Sequence, residues 1–206
     1  MIKQIQLFLL FIITTNAQTV IDVDLYRIAE DIVDGPEAIA FDGEGKMYTA
    51  NEDGRIIVLP RDGTDPYDFA QTEGRPLGLK FDLQGNLIVA DAYEGLLSID
   101  TTGEITILST ECDSLPFLLT DDLDISSDGI IYFSDASSVN NLENNGDDWG
   151  EPNGRLLAYD PQTNETSLLL DGLYFANGVA LAPDESYVLV NESSLGRVRR
   201  YWLAGP

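Results

Sequence analysis

The sequence predicts an all-β fold, a β-propeller built from four-stranded antiparallel blades, and three observations support this prediction. Beyond residue 20, apolar residues alternate in short runs rich in Ile, Leu, Val, Tyr and Phe, which is typical of strands. Tight acidic turns, most of them containing glycine, separate these runs. The pattern recurs four times with the same internal layout, and a period of about 40–45 residues is typical of propeller blades.

Each repeat supplies three recognisable strands. The predicted first strands are 37–41, 77–81, 121–125 and 177–181. The second strands are 47–50, 87–90, 131–134 and 187–190, and the third strands are 55–59, 95–100, 155–160 and 196–203. The first strands begin 40, 44 and 56 residues apart, and an insertion at 136–153 explains the longest interval. Because this insertion joins a second strand to a third, it is either a lid over the channel mouth or a passive surface loop.

The four repeats amount to about three and a half blades, because the last one contains three strands. A propeller closes with about 4 to 8 blades. We therefore expect residues 18–206 to form an incomplete propeller domain, with residues 20–28 as a candidate closing outer strand.

Residues 1–17 have the layout of a secretory signal peptide. Lys3 precedes the apolar run 7–13, and Thr15 and Ala17 occupy suitable cleavage positions. The run is shorter than the roughly 20 residues of a membrane-spanning helix. We therefore expect a secreted protein, extracellular or periplasmic, with membrane attachment only if this segment is retained as an anchor.

The composition excludes several classes of function. A formal net charge of −25 repels phosphate backbones, so nucleic-acid partners are not expected. The chain has no histidine, which excludes Ser–His and Cys–His nucleophiles and histidine-ligated zinc within it. Cys112 is the only cysteine, so no internal disulfide can form.

One repeat position carries oxygen ligands in three of the four units. Glu37, Leu77, Asp121 and Asn177 each lie four residues before a matched apolar residue. If the first strands line the central channel, these side chains converge at its mouth. Carboxylate and amide oxygens favour Ca²⁺, with the remaining ligands supplied by water and by other blades. Alternatively, Asp121 belongs to a solvated turn and Asn177 to an Asn-Gly turn.

Six segments resemble the strictosidine-synthase-like proteins, including the adipocyte plasma membrane-associated type. They are 35–42, 74–79, 131–138, 154–161, 172–181 and 199–203. That family is grouped with gluconolactonases, paraoxonases and diisopropylfluorophosphatase. The resemblance implies a six-bladed propeller, of which this sequence covers about three and a half blades.

The resemblance also implies a function. In the calcium-dependent hydrolases of the group, a first-blade Glu and Asn residues from later blades hold the catalytic ion. Glu37 and Asn177 match this pattern, whereas Asp121 stands where Asn is usual. The catalytic residue itself is expected beyond residue 206. The resulting hypothesis is a Ca²⁺-dependent hydrolase acting on a small-molecule ester or lactone.

Two alternatives remain open. One is amine–aldehyde condensation of the strictosidine synthase type, which uses a late-blade Glu and no calcium. The other is a non-catalytic extracellular binding propeller, because a fold does not determine a function.

Overall fold

The computed structural model describes residues 32–62, 64–143 and 149–204. Over these ranges the regular structure is β, apart from one 3₁₀ turn at Ser193–Leu195. The predicted signal peptide (1–17) and candidate closing strand (20–28) lie outside the described residues. Within the described part, no helix is long and apolar enough to cross a membrane.

The strands form three four-stranded blades and one three-stranded blade. Blade 1 contains β1 (Ile39–Phe41), β2 (Met47–Ala50), β3 (Arg55–Leu59) and β4 (Tyr67–Gln71). Blade 2 contains β5 (Pro76–Phe81), β6 (Leu87–Asp91), β7 (Gly95–Ile99) and β8 (Ile105–Ser109). A small hairpin of β9 (Glu111–Cys112) and β10 (Leu115–Pro116) follows. Blade 3 contains β11 (Thr120–Ile125), β12 (Ile131–Asp135), β13 (Gly154–Asp160) and β14 (Glu165–Leu173). Blade 4 contains β15 (Ala176–Leu181), β16 (Tyr187–Glu192) and β17 (Arg197–Trp202).

Each blade is an antiparallel meander whose strands are ordered as in the chain, which confirms the predicted fold class. The predicted second and third strands agree with the observed ones to within two residues. One first strand was predicted too long, because β1 begins at Ile39 and Glu37 lies before it. Gly35 has a left-handed φ of 57°, and Pro36 has no N–H to offer a sheet, so the chain becomes extended only after them.

The sequence pattern did not predict the β9–β10 hairpin. Its two central residues, Asp113 and Ser114, have φ values of 53° and 62°, as a type I′ turn requires. That turn usually carries Asn-Gly or Asp-Gly, so Asp-Ser gave no turn signal, and two-residue strands are too short to show alternation.

Apolar side chains fill the spaces between successive blades. Between blades 1 and 2, the Tyr48 ring meets Phe69 and Phe81 edge-on, with centroid distances of 5.3 and 4.9 Å. Equivalent clusters lie between blades 2 and 3 and between blades 3 and 4. Removing this surface from water is the main force that holds neighbouring blades together.

A buried polar side chain lies at the end of the second strand in blades 2 to 4 and directly after it in blade 1. These four joint residues are Asn51, Asp91, Asp135 and Glu192, each at most 3% exposed. Each side-chain oxygen accepts a hydrogen bond from a backbone N–H just before the first strand of its own blade. The donors are Asp34 for blade 1, Arg75 for blade 2, Leu118 and Leu119 for blade 3, and Tyr174 for blade 4.

Arginines partner two of the buried carboxylates. The Arg155 Nε and Nη2 atoms donate to Asp135 Oδ2 at 3.0 and 2.6 Å. The Nε atoms of Arg197 and Arg199 donate to Glu192 Oε2 at 2.5 and 2.8 Å. A buried charge is tolerated only when it is paired or hydrogen-bonded, so each joint residue strongly prefers this one arrangement of its connecting segment.

Gly74 provides a test of the joint in blade 2. A Cβ atom at this position would lie 2.1 Å from Asp91 Oδ1, which already accepts hydrogen bonds from three backbone N–H groups. We expect Gly74→Ala to lower the free energy of unfolding in urea by about 3 kcal/mol, because neither the carboxylate nor the backbone can move aside. Gly43→Ala is the matched control, since its Cβ would meet nothing within 4 Å. Equal effects of the two substitutions would contradict a stabilising role for the contact between Gly74 and the Asp91 carboxylate.

Glu192 provides a pH test of the joint in blade 4. Hydrogen bonds from Arg197 lower its pKa to about 2, with Arg199 and the Tyr174 N–H contributing. Because this folded pKa lies below the unfolded value of about 4.3, the stabilisation is complete above pH 4.3 and disappears as the pH falls towards 2.

We therefore expect Glu192→Gln to cost about 2 kcal/mol at pH 7 and almost nothing near pH 2. The expected loss of stability is modest because both arginine side chains are more than a third exposed, so water screens their charges. Urea unfolding at several pH values measures this cost, with the exposed Glu165→Gln as control. A pH-independent cost would exclude the ionised Glu192 as its source.

Candidate cation site

The joint residues fix the backbone shortly before the predicted ligands, and therefore help to position them. Glu37, Leu77, Asp121 and Asn177 follow the anchored N–H groups by two or three residues. They lie at the same end of their blades, opposite the turns that join first strands to second strands.

Asp121 and Asn177 are brought into direct contact. The Asn177 Nδ2 atom donates to Asp121 Oδ2 at 3.1 Å across the boundary between blades 3 and 4. The amide oxygen of Asn177 accepts from the Gly178 N–H at 2.8 Å. Side chains from two repeats therefore meet at this position, and Asp121 lies in β11 rather than in a turn.

Asp121 lies in an unusually negative setting. Burial raises its pKa to about 7, and the nearby carboxylates of Asp122, Glu37 and Asp135 add to the effect. No arginine or lysine side chain among the described residues is within ion-pair distance of Asp121. A half-buried carboxylate that other carboxylates repel and that has no cationic partner is stabilised by a proton or by a bound cation.

Glu37 lies less deeply in the site than Asp121. Its side chain is 61% exposed, and its carboxylate is 3.9 Å from the Arg75 guanidinium. It nevertheless belongs to the same electrostatic group, because its charge contributes to the raised pKa of Asp121. The structure therefore brings two of the predicted ligands into contact and places the third nearby.

Two further aspartates of β11 have a structural role that the sequence did not reveal. The Oδ2 atoms of Asp122 and Asp124 accept the backbone N–H groups of Val179 and Leu181, each at 2.8 Å. They tie the first strand of blade 3 to the first strand of blade 4. The spacing of two residues was a possible signal, because alternate residues of a strand share one face.

Leu77, the apolar member of the repeat position, belongs to an apolar cluster at this end of the blades. Its buried neighbours are Ala92, Leu119 and Ala136, with Leu142, Trp149 and Phe175 packed around them. The Trp149 ring meets Phe175 edge-on at 5.0 Å. Leu142 and Trp149 come from the insertion, so its described parts pack against the blades.

The donor set fits a hard cation in its chemistry and supplies only part of a coordination shell. Glu37, Asp121 and Asn177 offer oxygen atoms, the ligands that Ca²⁺ prefers. Three is fewer than the six to eight oxygens usual for Ca²⁺, which leaves positions for water and for oxygen atoms outside the described residues. Among the described residues, no three His, Cys, Asp or Glu side chains converge closely enough to hold a metal. The amide of Asn177 is therefore essential to any site here.

Three solved structures give the relatives of the fold. A gluconolactonase from Xanthomonas campestris superposes with a TM-score of 0.72 at 17% identity, over 84% of this chain and 60% of its own. A second structure, described as a putative gluconolactonase, also has a TM-score of 0.72, at 18% identity, over 87% and 63% of the two chains. The calcium-binding protein regucalcin from Agrobacterium tumefaciens has a TM-score of 0.63 at 18% identity, over 82% and 54%. At these identities the likeness concerns the fold, and it agrees with the six-bladed propeller expected from the sequence.

Sequence relatives are more informative about the family. The strictosidine synthase family model matches residues 121–206, and the model of the strictosidine synthase-like N-terminal region matches residues 23–59. Protein strictosidine synthase-like 3 of Arabidopsis thaliana is 38% identical over 84% of this chain and 51% of its own length. The human adipocyte plasma membrane-associated protein is 37% identical over 87% of this chain and 47% of its own. This chain therefore spans about half the length of these curated relatives, and it belongs to the strictosidine synthase-like family.

Proposed function

We propose that the protein is a calcium-dependent hydrolase of small-molecule esters or lactones. The observation that carries this proposal is the contact between Asp121 and Asn177 at one repeat position, with the uncompensated negative charge around Asp121. The structural likeness to gluconolactonases and to a calcium-binding protein supports it. A bound Ca²⁺ supplies Lewis-acid chemistry, polarising a substrate carbonyl and stabilising the negative charge that develops on its oxygen.

The residues of this chain would hold the ion and orient the substrate. Asp121 and Asn177 are the inner ligands, fixed by the joints of blades 3 and 4, and Glu37 closes the site from blade 1. Using Asn177 as a ligand requires its amide oxygen to turn from the Gly178 N–H towards the ion. The partly exposed Leu142, Trp149 and Phe175, which pack on the buried cluster around Leu77, would contact the non-polar part of an ester or lactone.

A second candidate function is the condensation of an amine with an aldehyde. The strictosidine synthase family model, which matches residues 121–206, is the observation that favours it. One repeat position carries oxygen ligands in three of the four units, which favours calcium-dependent hydrolysis instead, because the condensation uses no calcium.

The raised pKa of Asp121 leads to a prediction about stability and its dependence on calcium. The raised folded pKa means that the folded state holds the proton more tightly than the unfolded chain does, so stability falls as the pH rises from about 4 to 7. At pH 8 in a chelator, we expect Asp121→Asn to raise the free energy of unfolding by up to about 4 kcal/mol.

Millimolar Ca²⁺ should raise the melting temperature of the wild type more than that of Asp121→Asn, because the variant keeps an oxygen ligand but lacks the charge that the ion neutralises. Differential scanning calorimetry measures both effects. Asp184→Asn is the control, since this exposed aspartate lies in a turn at the opposite end of blade 4 and Asn can keep its hydrogen bonds to Ser186. A variant that is destabilised in chelator would contradict the charge repulsion assigned to Asp121.

Hydrolysis itself is tested with a form of the protein that includes the region beyond residue 206, where the catalytic residue is expected, using phenyl acetate and an aliphatic δ-lactone as substrates. We expect activity that a chelator abolishes and Ca²⁺ restores, with kcat/KM lowered about 100-fold or more in Asn177→Ala because an ion ligand is lost. Asp184→Asn should keep wild-type activity. Chelator-resistant turnover of an amine–aldehyde pair would support the condensation instead. Calcium binding without either reaction would support a binding propeller.

A further inference from the structure

Arg75 has a backbone that is fixed independently of its side chain. Its N–H donates to the buried Asp91 Oδ1 at 2.9 Å, in the joint of blade 2. Gly74 before it admits no side chain, and β5 begins directly after it at Pro76. The position of Arg75 is therefore set by blade 2.

The side chain of Arg75 reaches into blade 1. Its Nη2 atom donates to the Gly35 carbonyl oxygen at 2.6 Å and lies 3.9 Å from the Oε1 atom of Glu37. The residue is 8% exposed, and its Nη1 atom is buried without a hydrogen-bond partner among the described residues. The ion pair with Glu37 is about 1 Å longer than a hydrogen bond, so a small shift of Glu37 would satisfy the guanidinium further.

The backbone on both sides of Glu37 is hydrogen-bonded within blade 1, at Asp34 and at Ala38, so what remains to be fixed is the direction of the Glu37 side chain. Glu37 precedes β1, and within the described part of the chain Arg75 is the residue that forms an ion pair with it. Gly35 has a left-handed φ of 57°, and a Cβ atom there would lie 3.2 Å from Arg75 Nη2. The guanidinium therefore lies against this segment and limits where Glu37 can point.

We propose that Arg75 is a positioning residue that fixes Glu37 for cation binding, an inference that rests on the calcium site proposed above. The Arg75 backbone is fixed by Asp91 in blade 2, and its side chain restricts Glu37 in blade 1. Residues that orient metal ligands in this way typically change metal affinity by 10-fold to 100-fold when removed. A planar guanidinium can contact the Gly35 carbonyl and the Glu37 carboxylate together, whereas a lysine ammonium is a point charge.

Positioning and simple electrostatics predict opposite signs. The positive charge of Arg75 repels Ca²⁺, so if charge alone mattered its removal would tighten calcium binding. If orientation of Glu37 dominates, its removal weakens binding. The sign of the change in Kd therefore separates the two effects.

The test is calorimetric titration of the protein with Ca²⁺. We expect Arg75→Met to weaken calcium binding about 10-fold and Arg75→Lys about threefold, because lysine keeps the charge and can satisfy one of the two contacts. Arg55→Met is the matched control, since Arg55 is an arginine of blade 1 that forms ion pairs with Asp53 and Asp68. Its Kd should stay within twofold of the wild type.

A second measurement does not depend on calcium and guards against loss of folding. In a chelator, hydrogen exchange followed by mass spectrometry should show faster exchange for residues 35–39 in Arg75→Met, with the core strands of blades 2 and 3 still protected. Unchanged exchange in that segment, or unchanged or tighter Ca²⁺ binding in Arg75→Met, would overturn the inference. Absence of binding by the wild type would instead contradict the proposed calcium site.

Discussion

A buried polar side chain at the end of each second strand, or directly after it in blade 1, is the constraint on which the rest of this structure depends. Asn51, Asp91, Asp135 and Glu192 are shielded from water, and each accepts a backbone N–H from the segment that begins its own blade. A buried carboxylate without such a donor is costly, so the connecting segment has essentially one acceptable path. Apolar packing holds the blades together, but it is non-directional, and these polar contacts fix the backbone shortly before each first strand.

The candidate site is a consequence of that repetition. The repeat brings four equivalent residues to one end of the blades, although β1 begins only after Glu37, and three of the four carry oxygen ligands. The site conflicts with local stability, because the half-buried Asp121 lies among other carboxylates and its pKa rises to about 7. A residue that destabilises its own surroundings in this way is typical of functional sites. At the equivalent position of blade 2, Leu77 adds no negative charge and packs into an apolar cluster.

Much of the fold could be predicted from sequence because its information is local and repeated. Alternating apolar residues and acidic turns locate strands such as β2 and β3 in each unit, and the first strands give the register at which Asp121 meets Asn177. The sequence also indicated the family, which the comparisons confirmed.

The remaining features depend on contacts that a strand pattern does not encode. The β9–β10 hairpin uses an uncommon Asp-Ser turn, and the position of Glu37 depends on the Gly35 conformation and on Arg75 from the next blade. Three joint residues recur at one sequence position, 14 residues after Glu37, Leu77 and Asp121, whereas Glu192 lies 15 residues after Asn177. Their role is visible only when the N–H groups they accept are known. Distinguishing Asp121 from Asp122 likewise required the structure, since only the latter accepts a backbone N–H from blade 4.

The proposed calcium site depends on Asp121 as a ligand in a region of excess negative charge. The most direct measurement is a pH titration of its side-chain carboxyl carbon by NMR, assigned by comparison with Asp121→Asn, with and without Ca²⁺. We expect the pKa of Asp121 to be about 7 in chelator and to fall by a large amount when millimolar Ca²⁺ is added, because the ion stabilises the charged carboxylate. A titration that calcium does not change would contradict calcium binding by Asp121.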